Sequence, residues 1–345
     1  MTEATLQSAQ TTSPSTKKRV FSGMQPSNAL HLGNYLGALK QWVAHQHESD
    51  NIFCVVDLHA LTIPEEIDPK VLHRQSREVA ALYLACGIDP ESNLVFIQSH
   101  VHEHAELAWV LNCTTPLGWL YRMTQFKAKS DQKESVGTGL LDYPVLQAAD
   151  ILLYDTQSVP VGEDQRQHIE LTRDIAIRFN NLFGETFVLP NATIPATGAK
   201  IMSFDEPEAK MSKSIARERS GHAVNLLDDA KTIKKTIMSA VTDSERETRL
   251  EHASPGVKNL LSLYQVLTEE TQAEIEAKFE GQGYGTLKKA VLEAVMETLE
   301  PIQNRYREIM ADAEGLEAIL SRGASQAQER AAKTMVRVKE ATGLG

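Results

Sequence analysis

Phe21-Ser-Gly-Met-Gln-Pro-Ser-Asn-Ala-Leu-His-Leu-Gly-Asn34 is the stretch that decides the fold. The short apolar piece Val20–Ser22 stops at the turn residues Gly23, Pro26 and Ser27, where the chain must change direction. Leu32, Tyr35, Leu36, Leu39 and Val43 then recur at three- and four-residue steps, the spacing of one apolar helix face. A strand, a Gly/Pro turn and a helix opening near His31 make a β-α unit. Gly33 has no Cβ, so another group can approach its backbone closely. The new helix start offers free N–H groups and a partial positive charge, favourable to phosphate. Taken alone, the stretch also reads as a plain connection capped by Asn28.

Working outward, Ile52–Val56 and Leu94–Ile97 are buried-strand runs, with helical stretches around 70–86 and 103–113. Alternation of this kind predicts an α/β domain with a Rossmann-like, doubly wound parallel sheet. From about residue 205 strand-like runs vanish. Charged amphipathic stretches (225–240, 257–280, 286–310, 316–340) take over and predict an all-helical C-terminal module. The expected organisation is a disordered lead-in over 1–16, a catalytic domain over 17–204, a helical module over 205–315 and a final helix, 316–345, packing back on the first domain. Ligands of open parallel sheets bind beyond the carboxyl ends of strands. Gly23–Ser27, Asp57-Leu-His59 and Gly162–Gln165 all follow such ends, so one site is expected there.

The chain has 345 residues, 42% hydrophobic and 23% charged, ordinary values for a soluble globular protein. No apolar run approaches the roughly 18 residues of a membrane span. Residues 1–16 lack an apolar or Arg-rich targeting pattern. Cys54, Cys86 and Cys113 are far apart and form no CxxC pair, which fits a reducing cytoplasm and neither zinc nor disulfides. The formal net charge of −11 argues against a general electrostatic grip on DNA or RNA. Any nucleic-acid contact would use local patches, such as the basic residues between Lys200 and Lys235. His100-Val-His-Glu-His104 invites a metal reading but lacks HExxH spacing, so a strand-to-helix connection is expected. There is no GxxxxGK[ST] and no GxGxxG after a strand, which excludes the common nucleotide fingerprints and a dinucleotide dehydrogenase.

Ala209-Lys-Met-Ser-Lys-Ser214 is weak as isolated text, since a solvated charged loop has the same look. Together, an HxGN element and a later KMSKS form the signature pair of class I aminoacyl-tRNA synthetases. Within that class the chain resembles the tryptophanyl-tRNA synthetases of bacterial type, through Phe21–Val43, Arg122–Lys129, Tyr143–Tyr154 and Val159–Glu170. The resemblance runs from about residue 18 to the end. The tyrosine-specific relatives usually differ around Gly162–Gln165, and a non-catalytic paralogue would have lost groups such as His31 and Lys213.

The resemblance implies activation of L-tryptophan by ATP to an adenylate, followed by transfer to tRNA(Trp), in a homodimer with Mg²⁺ accompanying the nucleotide. It places Gln25, Pro26, Ser27, Gly33 and Asn34 around ATP, with His31 near the triphosphate. Gly162, Glu163 and Asp164 would contact the nucleotide, Asp164 at the ribose, and Ile201 the adenine through its backbone. Lys210, Met211, Ser212, Lys213 and Ser214 would close over the pyrophosphate, so His31, Asn34, Lys210 and Lys213 are the catalytic candidates. Asp150 would accept the indole N–H. Phe21, Val159, Val161 and Tyr143 would wall the ring, with His59 at the pocket floor beside Asp57 and Gln165 on the substrate amino or carboxylate group. Gln147 stands where many bacterial members carry Met, and would share the indole contact or take the amino group. Without a ligand, Asp150 would be a residue near a helix N-terminus.

Overall fold

The computed structural model describes residues 17–26, 30–130, 136–194, 201–211 and 219–345, apart from the side chains of Glu66 and 128–130. Among the described residues, five strands form one parallel sheet in the order β3-β2-β1-β4-β5. They are β1 (Arg19–Met24), β2 (Asp50–Val55), β3 (Leu94–Ile97), β4 (Ser158–Pro160) and β5 (Asn191–Thr193). β1 pairs with β2 from Arg19 opposite Asp50 to Met24 opposite Val55, and with β4 at Val20 opposite Ser158. Every residue of β3 is buried and β2 is buried from its second residue onward. Such unbroken apolar runs mark central parallel strands covered on both faces.

The chain winds outward from β1 through β2 to β3, then returns to β4 and β5 on the other side. The order therefore reverses between β1 and β4, the place where open α/β sheets leave a crevice. Two apolar clusters cover the two faces. On one, Leu32, Leu36, Leu39, Phe53, Val55, Val79, Val95 and Ile97 pack together. On the other, Phe21, Ile52, Cys54, Leu94, Phe96, Val145, Ile169 and Val159 do so.

The helices of the first half are α1 (Leu32–Asn34), α2 (Lys40–His45), α3 (Pro69–Ala85), α4 (Glu103–Thr114), α5 (Leu117–Leu120), α6 (Thr124–Ser130), α7 (Thr138–Leu152) and α8 (Arg166–Phe183). A wide π-type turn, Tyr35–Leu39, joins α1 to α2 without a break. The second half carries α9 (Ala230–Met238), α10 (Pro255–Thr268), α11 (Gln272–Phe279), α12 (Tyr284–Ala311) and α13 (Ala313–Thr342). The amphipathic stretch 257–280 is thus two helices. Thr271 caps the second of them through a capping box with Glu274, satisfying N–H groups that the break leaves without helical partners.

The helical half has no separate core. Ile233, Leu260, Leu287, Val291 and Leu299 belong to the same cluster as Leu36, Val79 and Tyr83 on the sheet face. α13 joins both faces. Leu316 and Leu320 enter the cluster of Val95 and Ile97, whereas Ala327, Ala331, Met335 and Val338 enter that of Leu94 and Phe96. It therefore straddles the β3 edge. No helix among the described residues is long and apolar enough to cross a membrane.

Candidate active site

At the β1 end of the crevice, His31 is the N-cap of α1 and is buried. Its Nδ1 accepts from the Asn34 backbone N–H at 3.3 Å, and Asn34 Oδ1 accepts from the His31 N–H at 3.1 Å. A capping box made from these two residue types ties both side chains to the helix start. The adjoining backbone is pinned from the second half of the chain. The Leu32 N–H donates to Val224 O and the Leu226 N–H to Leu30 O, both at 2.8 Å.

A Cβ at Gly33 would lie 3.0 Å from His31 Nδ1 and 3.6 Å from Met211 Sδ. The glycine is thus used for close approach of the His31 ring, with Met211 of the KMSKS stretch in ordinary contact beside it. Both signature elements meet here. Residues 202–210 form a small hairpin, in which Met202 bridges Lys210 and the Ser203 N–H donates to Ala209 O at 2.8 Å. Ile201 and Met211 are buried at its base, and Lys210 is exposed. Ser27, Asn28, Ser212, Lys213 and Ser214 lie outside the described residues. Gln25 is exposed and Pro26 buried just after β1.

Beyond β4, Gly162 leads into a single turn, Glu163–Gln165, that opens α8. A Cβ on Gly162 would stand 2.7 Å from Asp164 Oδ1. Glu163 accepts two hydrogen bonds from the Arg166 guanidinium at 2.7 and 3.0 Å, and Gln165 Nε2 donates to Asp164 Oδ2 at 3.0 Å. Val161 is half-buried, and its N–H donates to Thr193 O at 3.0 Å.

Asp150 lies in the last turn of α7, not near its N-terminus, and is 1% exposed. Tyr143, Gln147 and Asp150 share one face of that helix by their spacing. The Asp150 carboxylate accepts three hydrogen bonds. Gln98 Nε2 donates to Oδ1 at 2.6 Å, His104 Nδ1 bonds Oδ1 at 2.7 Å, and His59 Nε2 bonds Oδ2 at 2.8 Å. Burial works to raise this carboxyl, but the hydrogen bonds from His104 and His59 together outweigh it and hold it below the ordinary carboxylate range. A buried anion without them would be far too costly.

The His59 ring also meets the Tyr143 ring edge-on at 6.4 Å. Tyr143 Oη lies 2.8 Å from His168 Nε2 and donates to Gln125 Oε1 at 3.3 Å, and burial pushes its phenol up to about 12. Phe21 stacks on Tyr154 at 6.0 Å, and both sit with Val159 in the apolar cluster behind Asp150. The structure thus joins His59, Tyr143 and Asp150 directly. Asp57 turns away instead, accepting from the Ser99 N–H at 2.9 Å.

Gln98, Gln125, His104, Tyr154 and His168 were not singled out by the sequence. The strand-to-helix connection expected over His100–His104 runs into the first turn of α4, where His104 is fully buried. The available signal was Asp150 itself. An acid inside the apolar run Ala148-Ala-Asp-Ile-Leu152 requires buried donors, and histidines and amides just beyond a strand end are natural sources.

The family model for class I tRNA synthetases of the tryptophan and tyrosine type matches residues 13–300. The chain is 56% identical to the tryptophan–tRNA ligase of Caldanaerobacter subterraneus subsp. tengcongensis over 328 residues, covering 95% of this chain and 98% of the relative. It is 53% identical to that of Wolinella succinogenes over 329 residues, covering 95% and 99%. A crystal structure of Campylobacter jejuni tryptophanyl-tRNA synthetase, complexed with ADP and tryptophan, superposes with a TM-score of 0.84 at 38% identity, covering 94% of this chain and all of the other. A sheet that reverses at β1 and β4, an HxGN turn touching the KMSKS stretch, and identity of this extent agree: the chain belongs to the tryptophanyl-tRNA synthetase family.

Proposed function

We propose that the crevice between β1 and β4 is where this chain joins tryptophan to ATP and then to tRNA(Trp), with Asp150 as the group that identifies the amino acid. The observation that carries this reading is Asp150 itself, a buried carboxylate gripped by His59, His104 and Gln98, with the Tyr143 ring set edge-on against His59. Indole N–H is a donor with no acceptor capacity, so a carboxylate is its natural partner. A substrate lacking that donor leaves an acceptor unpaired, at about 1–3 kcal/mol, and sites of this kind reject such analogues strongly. Phe21, Val159 and Val161 supply apolar wall, Tyr143 and His59 polar-edged wall. Gln147 and Gln165 take the polar end of the amino acid.

The tryptophan carboxylate attacks the α-phosphate in line, and negative charge develops on the leaving pyrophosphate. His31, Lys210 and Lys213 oppose that charge, while Gln25, Pro26, Ser27, Gly33 and Asn34 hold the nucleotide by close backbone approach. Ser212, Ser214 and Met211 complete the closing strap. Ile201 meets the base, and Gly162, Glu163 and Asp164 meet the ribose side. The protein contributes position and charge rather than covalent chemistry. The donors at this end are amides, imidazole and ammonium groups, which suit phosphate rather than a protein-held cation. Mg²⁺ fits as a companion of the triphosphate, where it neutralises oxygen charge.

Residues 17–204 form the catalytic domain in this reading, 205–315 the anticodon-binding module, and 316–345 the helix returning to the first. The working unit is a homodimer. Trp109, Leu117, Tyr121 and Leu182 are exposed on α4, α5, the turn after it and α8, large apolar side chains of the kind a partner subunit would cover. Free thiols at Cys54, Cys86 and Cys113 accord with a reducing cytoplasm.

Tryptophan-dependent ATP–pyrophosphate exchange tests the reading. Exchange with tryptophan and none with tyrosine at equal concentration supports it; exchange driven by tyrosine, or by neither, removes it.

A further inference from the structure

His104 has no assigned contact with substrate itself, yet its surroundings are unusually constrained. It is 0% exposed, with ring contacts to Phe96 at 5.8 Å and to Tyr154 at 5.5 Å. Nδ1 lies 2.7 Å from Asp150 Oδ1, and Nε2 lies 2.7 Å from Tyr154 Oη. A carboxylate only accepts, so Nδ1 carries the hydrogen. Nε2 then accepts from the Tyr154 hydroxyl, and one tautomer satisfies all three groups. Burial, with the carboxylates of Asp150 and Glu103 behind it, raises Tyr154 well above its ordinary value, so its hydroxyl keeps the proton it donates.

Counting lone pairs gives the consequence. A carboxylate oxygen accepts about two hydrogen bonds in its plane. Asp150 Oδ1 already takes two, from Gln98 and His104, whereas Oδ2 takes one, from His59. Only Oδ2 has an open position.

We propose that His104 is a positioning residue for amino-acid selection: locked by Tyr154, it fills Asp150 Oδ1 with Gln98 and so leaves Oδ2 as the single oxygen offered to the indole N–H. This inference rests on the reading of Asp150 as the indole acceptor. Without the His104 donor only Gln98 and His59 hold the carboxylate, Oδ1 gains an open position of its own, and the single direction offered to the indole is lost. The ring N–H would then meet a misdirected acceptor. ATP contacts, which lie on other residues, would not change.

The experiment compares tryptophan with its benzothiophene analogue, in which sulfur replaces the ring N–H, in ATP–pyrophosphate exchange. The variants are His104→Leu, His104→Asn, Tyr154→Phe and Asp150→Asn. In His104→Leu the KM for tryptophan should rise about ten-fold, the scale of one hydrogen bond to a charged group. The KM values for ATP and for the analogue should stay near wild type, so that the preference for the N–H substrate collapses. His104→Asn places an amide donor where Nδ1 stood and should restore most of the preference. A purely structural role would lower the unfolding temperature and leave the preference alone, and that result overturns the proposal. So does a loss of preference in His104→Leu that His104→Asn fails to restore.

If His104→Leu does not fold, Tyr154→Phe decides, because it keeps the packing and removes only the hydroxyl. Reduced preference with unchanged KM for ATP supports the proposal; unchanged preference overturns it. Asp150→Asn separates the two levels. If that variant retains full preference, the assignment of Asp150 fails. If it loses preference while the His104 and Tyr154 variants do not, only the positioning role fails.

Discussion

The side chain of Asn259 grips the backbone of Met202 with both ends: its Oδ1 accepts from the Met202 N–H and its Nδ2 donates to the Met202 carbonyl, each at 2.9 Å. Asn259 lies on α10 in the helical half, and Met202 opens the hairpin that leads to Lys210. The hairpin that ends at Lys210 is therefore held from the helical half of the chain. Replacing Asn259 by Leu strands two backbone groups at about 1–3 kcal/mol each. We expect a rise in the KM for ATP with the KM for tryptophan nearly unchanged, together with a lower unfolding temperature. Equal effects on both substrates in steady-state exchange would count against this coupling.

Asp150 makes a pH prediction with a definite sign. Its folded-state value lies below the ordinary 3.8, so on acidification the unfolded chain binds the proton first. The stabilisation is complete above about pH 3.8 and drains away as pH falls through the lower, folded value. Asp150→Asn should be less stable than wild type at neutral pH by about 1–3 kcal/mol, since buried donors lose their ionised acceptor. The gap should narrow in acid. Denaturant unfolding at pH 7 and below pH 4 measures it, and a gap constant over that span would contradict the argument.

Trp109 is 71% exposed and Tyr121 51% exposed. If a second copy covers this face, Trp109→Glu should convert a dimer into a monomer in sedimentation velocity at micromolar concentration, because a buried charge without a partner is strongly disfavoured at an interface. A monomeric wild type, or a variant that remains dimeric, would refute the assignment of this face.

Gly323 on α13 comes so near β3 that an added Cβ would stand 1.9 Å from Val95 O and 2.9 Å from Val95 C. Backbone on both sides leaves little room to yield. Gly323→Ala should destabilise the protein by at least the ~1–3 kcal/mol usual for overpacking, even though alanine favours helix. A thermal melt equal to or above wild type would show that the helix can shift aside.

The parallel sheet was readable because β2 and β3 are apolar runs bounded by turn residues, and helical stretches between strands imply parallel crossovers. The division of 257–280 was harder to see, since a capping box at Thr271 interrupts a continuous amphipathic pattern. At the site, His59 was marked by its place after a strand end and Asp150 by the resemblance carried by Tyr143–Tyr154. His104 and Gln98 carried no such mark, because what distinguishes them is contact with Asp150 across 46 and 52 residues of sequence. Periodicity records which face of a helix is apolar. It does not record which distant donor a buried acid will find.

The straddling position of α13 bears on how the molecule is made. β3 ends one side of the sheet, and an unpaired strand there is a template for association with other chains. During translation β3 emerges long before Ala313–Thr342, so the nascent polypeptide carries that template uncovered until α13 has followed it. Ribosome-bound chains halted ahead of Ala313 should accordingly be the species most in need of a chaperone.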